Sequence, residues 1–484
     1  MLQTGNAGIS WQPPTKRLPV ATRDLFDFRA VAARGAHAWI AGSPGSVIWH
    51  TSDGGHSWSQ QPTGNPQPIH ALHFSSETAG TAVGALGTIL HTADGGQSWA
   101  AVHGKSRRTA LMAIHTRANG VSFRLLATQS AEQGYRSIVF LPLRRDTGTG
   151  DAADLDLRLA DAVTWSGGSA TEIDWRLSLN LPGLDRNRLR LIKEWNRQTE
   201  SRLEPVLMGR LVARLRTWRP DIVVLESPAA DDAATSLIND AVVRAIKQAA
   251  DPTQFISHRE IAGLPTWRVK KVFVRLPSGS SGEIHIKPFE LLPRIGKPIA
   301  IAAAAAESIA AQQKRSTGIE AYRLLQPATG REKRIGGDLF AGLVLAPGSA
   351  ARRHLLPLDR EEWEKRTKLA QRQRNFRAYS EKFLNDPRLA AQLIGQLRQN
   401  SRLLPDDQAA LQMLSLIAEY RRRSEWELAE STAVELVGAY PNEPASLEAM
   451  QWLFHLWGGA EPTWQRLRRR EASGEHVVVN AAAV

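Results

Sequence analysis

Between an apolar run, Leu111–Ile114, and a helical stretch, Arg124–Gly134, the chain reads His115-Thr116-Arg117-Ala118-Asn119-Gly120-Val121-Ser122-Phe123. A second apolar run, Ser137–Leu143, follows. This is the pattern strand, turn, helix, strand. In an open α/β sheet, ligands bind where a strand's carboxyl end turns into the next helix, so a site is expected at Thr116–Gly120. A second loop, Glu226–Val242, adds Glu226, Asp231 and Asp232. A cleft lined by Arg117, Asn119, Asp231 and Asp232 could hydrogen-bond a sugar or an anion. The guanidinium would favour a carboxylate or phosphate group. Glu226, Asp231 and Asp232 could hold a hard cation weakly, although surface carboxylates in a loop are the commoner case. His115 could serve as a metal ligand, but it lies inside the strand run, where a core histidine is the more frequent outcome.

The elements that position these residues read as an α/β layer from about Thr109 to Ala311. Apolar strand runs at Leu111–Ile114, Ile138–Leu143 and Asp221–Glu226 alternate with helical stretches. The helix before the last run carries Leu203, Val206, Leu207, Leu211, Val212 and Leu215, a single stripe at helical period. The segment Thr217–Pro228 then reads as a helix end, a proline turn, a buried parallel strand and a loop.

The chain has 484 residues, too many for one ordinary core, so about three domains are expected. Apolar content of 42% and charged content of 23% fit a water-soluble fold. The absence of cysteine removes disulfides, thiolate zinc sites and cysteine nucleophiles. No apolar run reaches the roughly eighteen residues that a membrane helix needs. The N-terminus lacks the basic start and apolar stretch of a signal peptide. The net charge of +13 concentrates in Arg186–Arg219 and Arg360–Arg377. The second run mixes both signs at helical spacing and reads as a solvated helix face. No nucleic-acid module accompanies it, so no specific nucleic-acid partner is expected.

The first hundred residues repeat. Thr51–Trp58, TSDGGHSW, aligns with Thr92–Trp99, TADGGQSW, and the starts lie about forty residues apart, the spacing of propeller blades. Upstream, Ala38–His50 aligns with Gly80–His91. A weaker copy, Thr4–Trp11, places Asn6 in the Asp position. The Asp can accept backbone N–H bonds, the glycines permit positive φ, and the Trp is expected to pack between blades. These units resemble the Asp-box (BNR) repeats of sialidases and, in their spacing, the propellers of the photosystem II assembly-factor family. Asp53, Trp58, Asp94 and Trp99 are therefore structural residues. Three boxes do not close a propeller, which takes about four to eight blades. Either the chain is a fragment of a longer protein, the preferred reading, or the repeats pack on the next domain.

From about residue 108 to 315, the order of parts resembles the PIG-L/LmbE family of zinc-dependent N-deacetylases. The outline runs through Ala113–Leu143, Arg216–Pro228 and Leu264–Arg275. The resemblance implies a strand ending in Ala-His-Pro-Asp-Asp-Glu. Carried over, the family's zinc-binding His falls on Arg117, its general-base Asp on Asn119 and its zinc-binding Asp on Gly120. The loop Glu226–Val242 holds no histidine. A catalytic zinc needs about three His, Asp or Glu ligands. Arg117 would repel it, and Asn119 cannot take a proton from water near neutral pH.

The expected fold is multidomain: β-propeller-type Asp-box repeats (1–107), an α/β Rossmann-like, PIG-L/LmbE-like domain (108–320), a linker or small β insertion (321–358), and an α-helical C-terminal segment (359–484). In the last, Trp426–Trp457 resembles a tetratricopeptide-type helix pair, with Tyr440-Pro441 ending one helix and Pro444 starting the next. The sequence reading is a non-catalytic deacetylase relative that binds a glycan or protein partner and needs no cofactor. Two alternatives stand beside it. One is a zinc-dependent N-deacetylase acting on N-acetylglucosamine conjugates through a displaced site. The other is a protein-interaction scaffold. By analogy with both families, the expected setting is bacterial and extracytoplasmic.

Overall fold

A computed structural model describes residues 18–20, 22–144, 155–174, 176–179, 181, 183–310, 318–326, 337–345, 347–350 and 401–459, with scattered positions among 1–13 and 361–399. The chain divides into two compact units, Met1–Pro357 and Leu358–Val484.

A short helix, α1 (Thr22–Leu25), leads into two antiparallel four-stranded sheets. The first comprises β1 (Asp27–Arg34), β2 (His37–Ser43), β3 (Val47–Thr51) and β4 (Ser59–Pro62). The second comprises β5 (Ile69–Phe74), β6 (Gly80–Gly84), β7 (Thr88–Thr92) and β8 (Ala100–His103). In both, strands adjacent in sequence pair as a meander. Each Asp box turns the third strand of its sheet into the fourth. In the first, Thr51 Oγ1 donates to Asp53 Oδ1 (2.7 Å) and accepts from Gly55 N (2.9 Å), while Ser57 N donates to Asp53 Oδ1 (2.8 Å). The same bonds recur through Thr92, Asp94, Gly96 and Ser98 at 2.7, 2.8 and 2.9 Å. The copy at Thr4 also keeps them: Thr4 Oγ1 donates to Asn6 Oδ1 and accepts from Gly8 N, both at 2.9 Å, and Ser10 N donates to Asn6 Oδ1 at 2.9 Å. Gly55 and Gly96 sit at φ +90, where a side chain would be strained.

Trp39 bridges the two sheets, and the box tryptophan Trp99 packs against the same cluster. The Trp39 indole is fully buried, stacks on Phe74 at 3.6 Å between ring centroids, and donates from Nε1 to Gly95 O of the second box (2.9 Å). Trp99 meets Phe74 edge-on, whereas Trp58 joins a separate cluster with Trp49.

Beyond the sheets lies a seven-stranded mixed sheet. It is built from β9 (Leu111–Ile114), β10 (Ser137–Leu141), β11 (Ala170–Ile173), β12 (Ile222–Glu226), β13 (Lys271–Arg275), β14 (Ile284–Ile286) and, after a small ribbon of β15 (Leu291–Leu292) and β16 (Lys297–Pro298), β17 (Glu320–Gln326). The order is β11-β10-β9-β12-β13-β17-β14. The first five strands are parallel, and β17 and β14 add on antiparallel. Side-chain alternation sends Met112, Ile114, Val223 and Leu225 to one face, against α5 (Leu203–Trp218) and α6 (Ala233–Ala250). Leu111, Ala113, Val139 and Val224 go to the other, covered by α2 (Phe123–Leu126), α3 (Leu155–Trp165) and α8 (Ile299–Ala310). The helix expected over Arg124–Gly134 is α2 continued by a π-helical turn, Ala127–Glu132. Two shorter helices, α4 (Arg188–Gln198) and α7 (Ile256–Glu260), complete the layer.

The face of α5 that carries Arg210 and Arg214 does not meet water. The first β sheet covers it. Glu172 on β11 pairs with Arg214 (3.0 Å) and Arg29 (3.1 Å) and accepts from Trp218 Nε1 (2.6 Å). Asp27 on β1 pairs with Arg214 and with Arg210 (3.0 Å), and Arg210 also pairs with Asp174. Burial alone would raise the Asp27 pKa, but the two guanidiniums outweigh it and bring it down to about 2. Beside these charges, Leu25, Phe26, Val47 and Trp49 pack with Ala213, Ala262 and Leu264. The repeats thus rest directly on the following segment.

Within 321–358, the described residues are built into the layer. Phe340 stacks on Tyr135 with centroids 3.9 Å apart. Lys271 Nζ donates to Ala341 O (2.6 Å), and Lys270 Nζ to Val344 O (2.6 Å). Arg136 Nη1 donates to Gly348 O (2.6 Å), and Arg108 N to the same oxygen (3.1 Å). Residues 337–345 and 347–350 therefore close the amino ends of β9, β10 and β13.

In the second unit, helices Asp406–Arg422, Trp426–Ala439 and Pro444–Gly458 pack around Met413, Tyr420, Ala433, Leu436, Ala449 and Leu453. The small residues Ala429, Ala433, Ala445 and Ala449 are buried where the helices meet. Of the basic run Arg360–Arg377, Arg360, Arg366, Arg374 and Arg377 lie outside the described residues, and the terminal EHVVVNAAAV lies wholly outside them.

Glu172→Gln leaves the buried Arg214 short of a counter-charge and is expected to destabilise the first unit by about 3–5 kcal/mol. Glu204→Gln, at an exposed pair with Arg244, is expected to shift stability by less than about 1 kcal/mol. Urea unfolding followed by tryptophan fluorescence measures both, and equal midpoints for the two variants would contradict the assignment.

Candidate functional site

The central strands β9 and β12 are neighbours, and the chain leaves β9 on one side for β10 and reaches β12 on the other. A crevice is expected at their carboxyl ends. The structure places a cleft of about 570 Å³ there, lined by Arg117, Asp185, Arg186, Glu226, Ser227, Asp231, Asp232 and Thr235, among others.

Glu226 ends β12 and fills the base of the cleft. Its Oε1 accepts from Thr116 N (2.7 Å) and Thr116 Oγ1 (2.8 Å). Its Oε2 lies 3.4 Å from His115 Nδ1. Thr116 Oγ1 also bonds Thr235 Oγ1 at 2.6 Å, tying the strand end to the start of α6. Burial opposes ionisation of Glu226, but the His115 partner and the Thr116 donors outweigh it and hold its pKa at about 2. His115 sits behind this carboxylate, almost wholly buried, and its Nε2 has no hydrogen-bond partner. Gly120 packs against the same group, and a Cβ there would overlap Glu226 Oε2.

The cations of the cleft are paired across it. Arg117 Nη2 contacts Asp232 Oδ2 (2.9 Å) and Asp185 Oδ2 (3.1 Å). Asp232 also caps α6, with Oδ1 accepting from Thr235 N (2.9 Å). Arg186 meets Asp231 at 3.3 Å, with both side chains exposed. The sequence-read residues Arg117, Glu226, Asp231 and Asp232 are thus brought together. Asn119 is exposed on the single turn Ala118–Gly120 and is not among the lining residues. Asp185, Arg186 and Thr235 were not anticipated. The loop Gly183–Asn187 carries no periodic signal that would place it over a strand end.

This donor set does not fit a catalytic zinc. Glu226 spends both oxygens on Thr116 and His115, and Arg117 projects a fixed cation among the remaining carboxylates. Among the described residues, no three His, Asp or Glu side chains are grouped so as to hold a metal ion.

The other candidate residues form the box turns. Hydrogen bonds from Ser98 and Thr92 keep Asp94 ionised, with a pKa of about 2, and those from Ser57 and Thr51 depress Asp53 further. Both carboxylates are committed to their own turn.

Residues 1–121 match the family described as Photosynthesis system II assembly factor YCF48. The N-terminal part of the chain is therefore a Ycf48-like BNR, propeller-type region. Among curated relatives, the chain is 32% identical over 78 residues to the chloroplastic photosystem II stability/assembly factor HCF136 of Oryza sativa subsp. japonica, covering 16% of this chain and 18% of that protein. It is 36% identical over 91 residues to the photosystem II assembly lipoprotein Ycf48 of Synechococcus, covering 17% of this chain and 26% of that protein. The chain thus spans about a fifth to a quarter of the length of these relatives. Among solved structures, YCF48 bound to D1 peptide is similar at 30% identity and a TM-score of 0.19, covering 21% of this chain and 33% of that one. A conserved protein of Thermus thermophilus is similar at 14% identity and a TM-score of 0.30, covering 42% of this chain and 78% of that one.

Because the folded pKa of Glu226 lies below its unfolded value of about 4.3, the carboxylate stabilises the fold above the unfolded value. That contribution, about 3 kcal/mol, is lost as pH falls from about 4.3 towards 2. The stability difference between the wild type and Glu226→Gln is expected to be largest above pH 5 and to shrink steadily below pH 4. A difference independent of pH would show that the carboxylate is not held ionised.

Proposed function

We propose that this chain is a non-catalytic interaction protein whose Ycf48-like repeats bind a segment of a protein partner, in the manner of an assembly factor. The observation that carries this reading is the match of residues 1–121 to the YCF48 family, falling on two intact Asp-box sheets. The D1 peptide of the YCF48 complex makes a peptide segment the first partner class to test here.

In this reading, the seven-stranded layer is a degenerate PIG-L/LmbE-like, Rossmann-like domain that no longer turns over its ligand. Three features support it. Arg117 and Gly120 stand where the resemblance calls for metal ligands. Glu226 is committed to Thr116 and His115. Arg117 is held by Asp232 and Asp185. The cleft keeps enough room to bind a polar ligand, and the buried charges beneath the first sheet hold the repeats fixed on the layer.

The test is a photo-crosslinking amino acid placed at exposed Gln97 in the second box and, as a control, at exposed Arg190 on α4. In the native cell, Gln97 is expected to yield one discrete protein adduct that Arg190 does not. No adduct, or the same adducts from both positions, would overturn the binding role. Elemental mass spectrometry after dialysis against trace zinc is expected to find less than about a tenth of an equivalent. One tightly held zinc per chain would overturn the non-catalytic reading.

A further inference from the structure

The two N-terminal sheets repeat each other, so their faces can be compared position by position. In the first sheet Trp39 pairs with His50 and Ile40 with Trp49. In the second, Thr81 pairs with His91 and Ala82 with Leu90. Trp39 therefore corresponds to Thr81, Ile40 to Ala82 and Ala41 to Val83. On the next strand, Ile48 corresponds to Ile89 and Trp49 to Leu90.

This correspondence sorts the faces. Trp39, Ala41 and Ile48 pack with Phe74, Ala82 and Leu90 where the first sheet meets the second. Ile40 and Trp49, on the first sheet's opposite face, pack with Ala213, Ala262 and Leu264 of the following layer. The first sheet is thus stacked on both faces. The second meets the first through its Ala82 and Leu90 face. Its other face is the counterpart of the Trp39 and Ile48 surface, the one already used for stacking in the first sheet. Two cross-strand rows form it: Ala71, Val83 and Ile89, and His73, Thr81 and His91. Val83 is 40% exposed and Ile89 37%, and Ala71, His73 and His91 are exposed beside them.

A stack of repeats ordinarily ends on a polar face that water can cover. None of these six positions is Asp, Glu, Lys or Arg, in a chain whose net charge is +13. A large net charge holds copies of a protein apart through like-charge repulsion. The open face lets two copies meet without bringing such charges together. The chain also restricts how they can meet. To continue the stack in the same direction, a neighbour would have to present an Ile40 and Trp49 face or an Ala82 and Leu90 face. In a second copy both are already buried, one against the layer and one against the first sheet. What a second copy can offer is the open face itself. A patch that matches itself makes an isologous contact, which closes at two copies about a two-fold axis.

We propose that the chain pairs with a second copy of itself through this face of the second sheet. Val83 and Ile89 supply the apolar contact, and Ala71 and Thr81 are small enough to let the two sheets approach to ordinary face-to-face packing distance. The contact continues the interface already present between the two sheets of one chain. The inference stands apart from the peptide-binding reading of the repeats.

The test is sedimentation velocity of the full chain across a concentration series from about 1 to 100 µM. The 53.2 kDa monomer is expected to give way to a species of twice that mass, with the midpoint in the micromolar range. Ile89→Asp sets two carboxylates in the contact and should weaken association at least about tenfold. Thr81→Lys sets like charges there from a position that is already polar and should do the same. Leu157→Asp, at an exposed position on α3, should leave association as in the wild type. Unchanged urea midpoints would show that the variants remain folded. A chain that stays monomeric at about 100 µM, wild-type association in either Ile89→Asp or Thr81→Lys, or a series of species beyond the dimer would each overturn the inference.

Discussion

The first unit depends on one buried arrangement of charge. Glu172 and Arg214, both almost fully buried, lie between a strand of the α/β layer and a helix, and Asp27 reaches them from the first β sheet. Two charges taken from water repay that cost only when their geometry is good and their remaining hydrogen-bonding capacity is filled. Here it is filled. Glu172 holds two guanidiniums, an indole and the Ser43 hydroxyl. The sheets cannot slide over α5 without breaking several of these contacts together. Apolar packing around Val47 and Trp49 adds affinity for the same surface, but it is the charges that set the register.

The cleft at the strand ends follows the same economy of paired charge with a different outcome. Glu226 draws the end of β9, the start of α6 and a buried histidine onto one carboxylate. Gly120 leaves room for that group and for nothing larger. The base of the cleft is thus occupied by a structural cluster, and the groups facing solvent are ion pairs whose charges largely cancel.

The apolar strands at Leu111–Ile114 and Ile222–Leu225 could be read directly because continuous burial leaves an unbroken apolar run. The Asp boxes were legible because their turns demand Asp, Gly and Ser at fixed offsets. Strand β11 was not, since Glu172 and Thr171 interrupt its pattern: its central position carries a buried charge rather than a hydrocarbon. The burial of Arg210 and Arg214 on α5 was not legible either, as the strand that covers them lies some 180 residues away in sequence. At the site, the sequence pointed to Arg117, Glu226, Asp231 and Asp232, whereas Asp185 and Arg186 arrive on a loop whose placement only the fold determines.

Residues 337–345 and 347–350 reach back to the amino ends of β9, β10 and β13, closing them with carbonyls for Lys271, Arg136 and Arg108. During synthesis on the ribosome, those strand ends have no covering until the chain has grown past Ser349. Asp27, made near the start, likewise waits for Arg214. Contacts of such long sequence separation slow folding and prolong the exposure of unpaired edges. The first unit is therefore a late-maturing fold, and a nascent chain halted after β13 would carry its repeats, its parallel strands and most of its helices while lacking the segment that seals them.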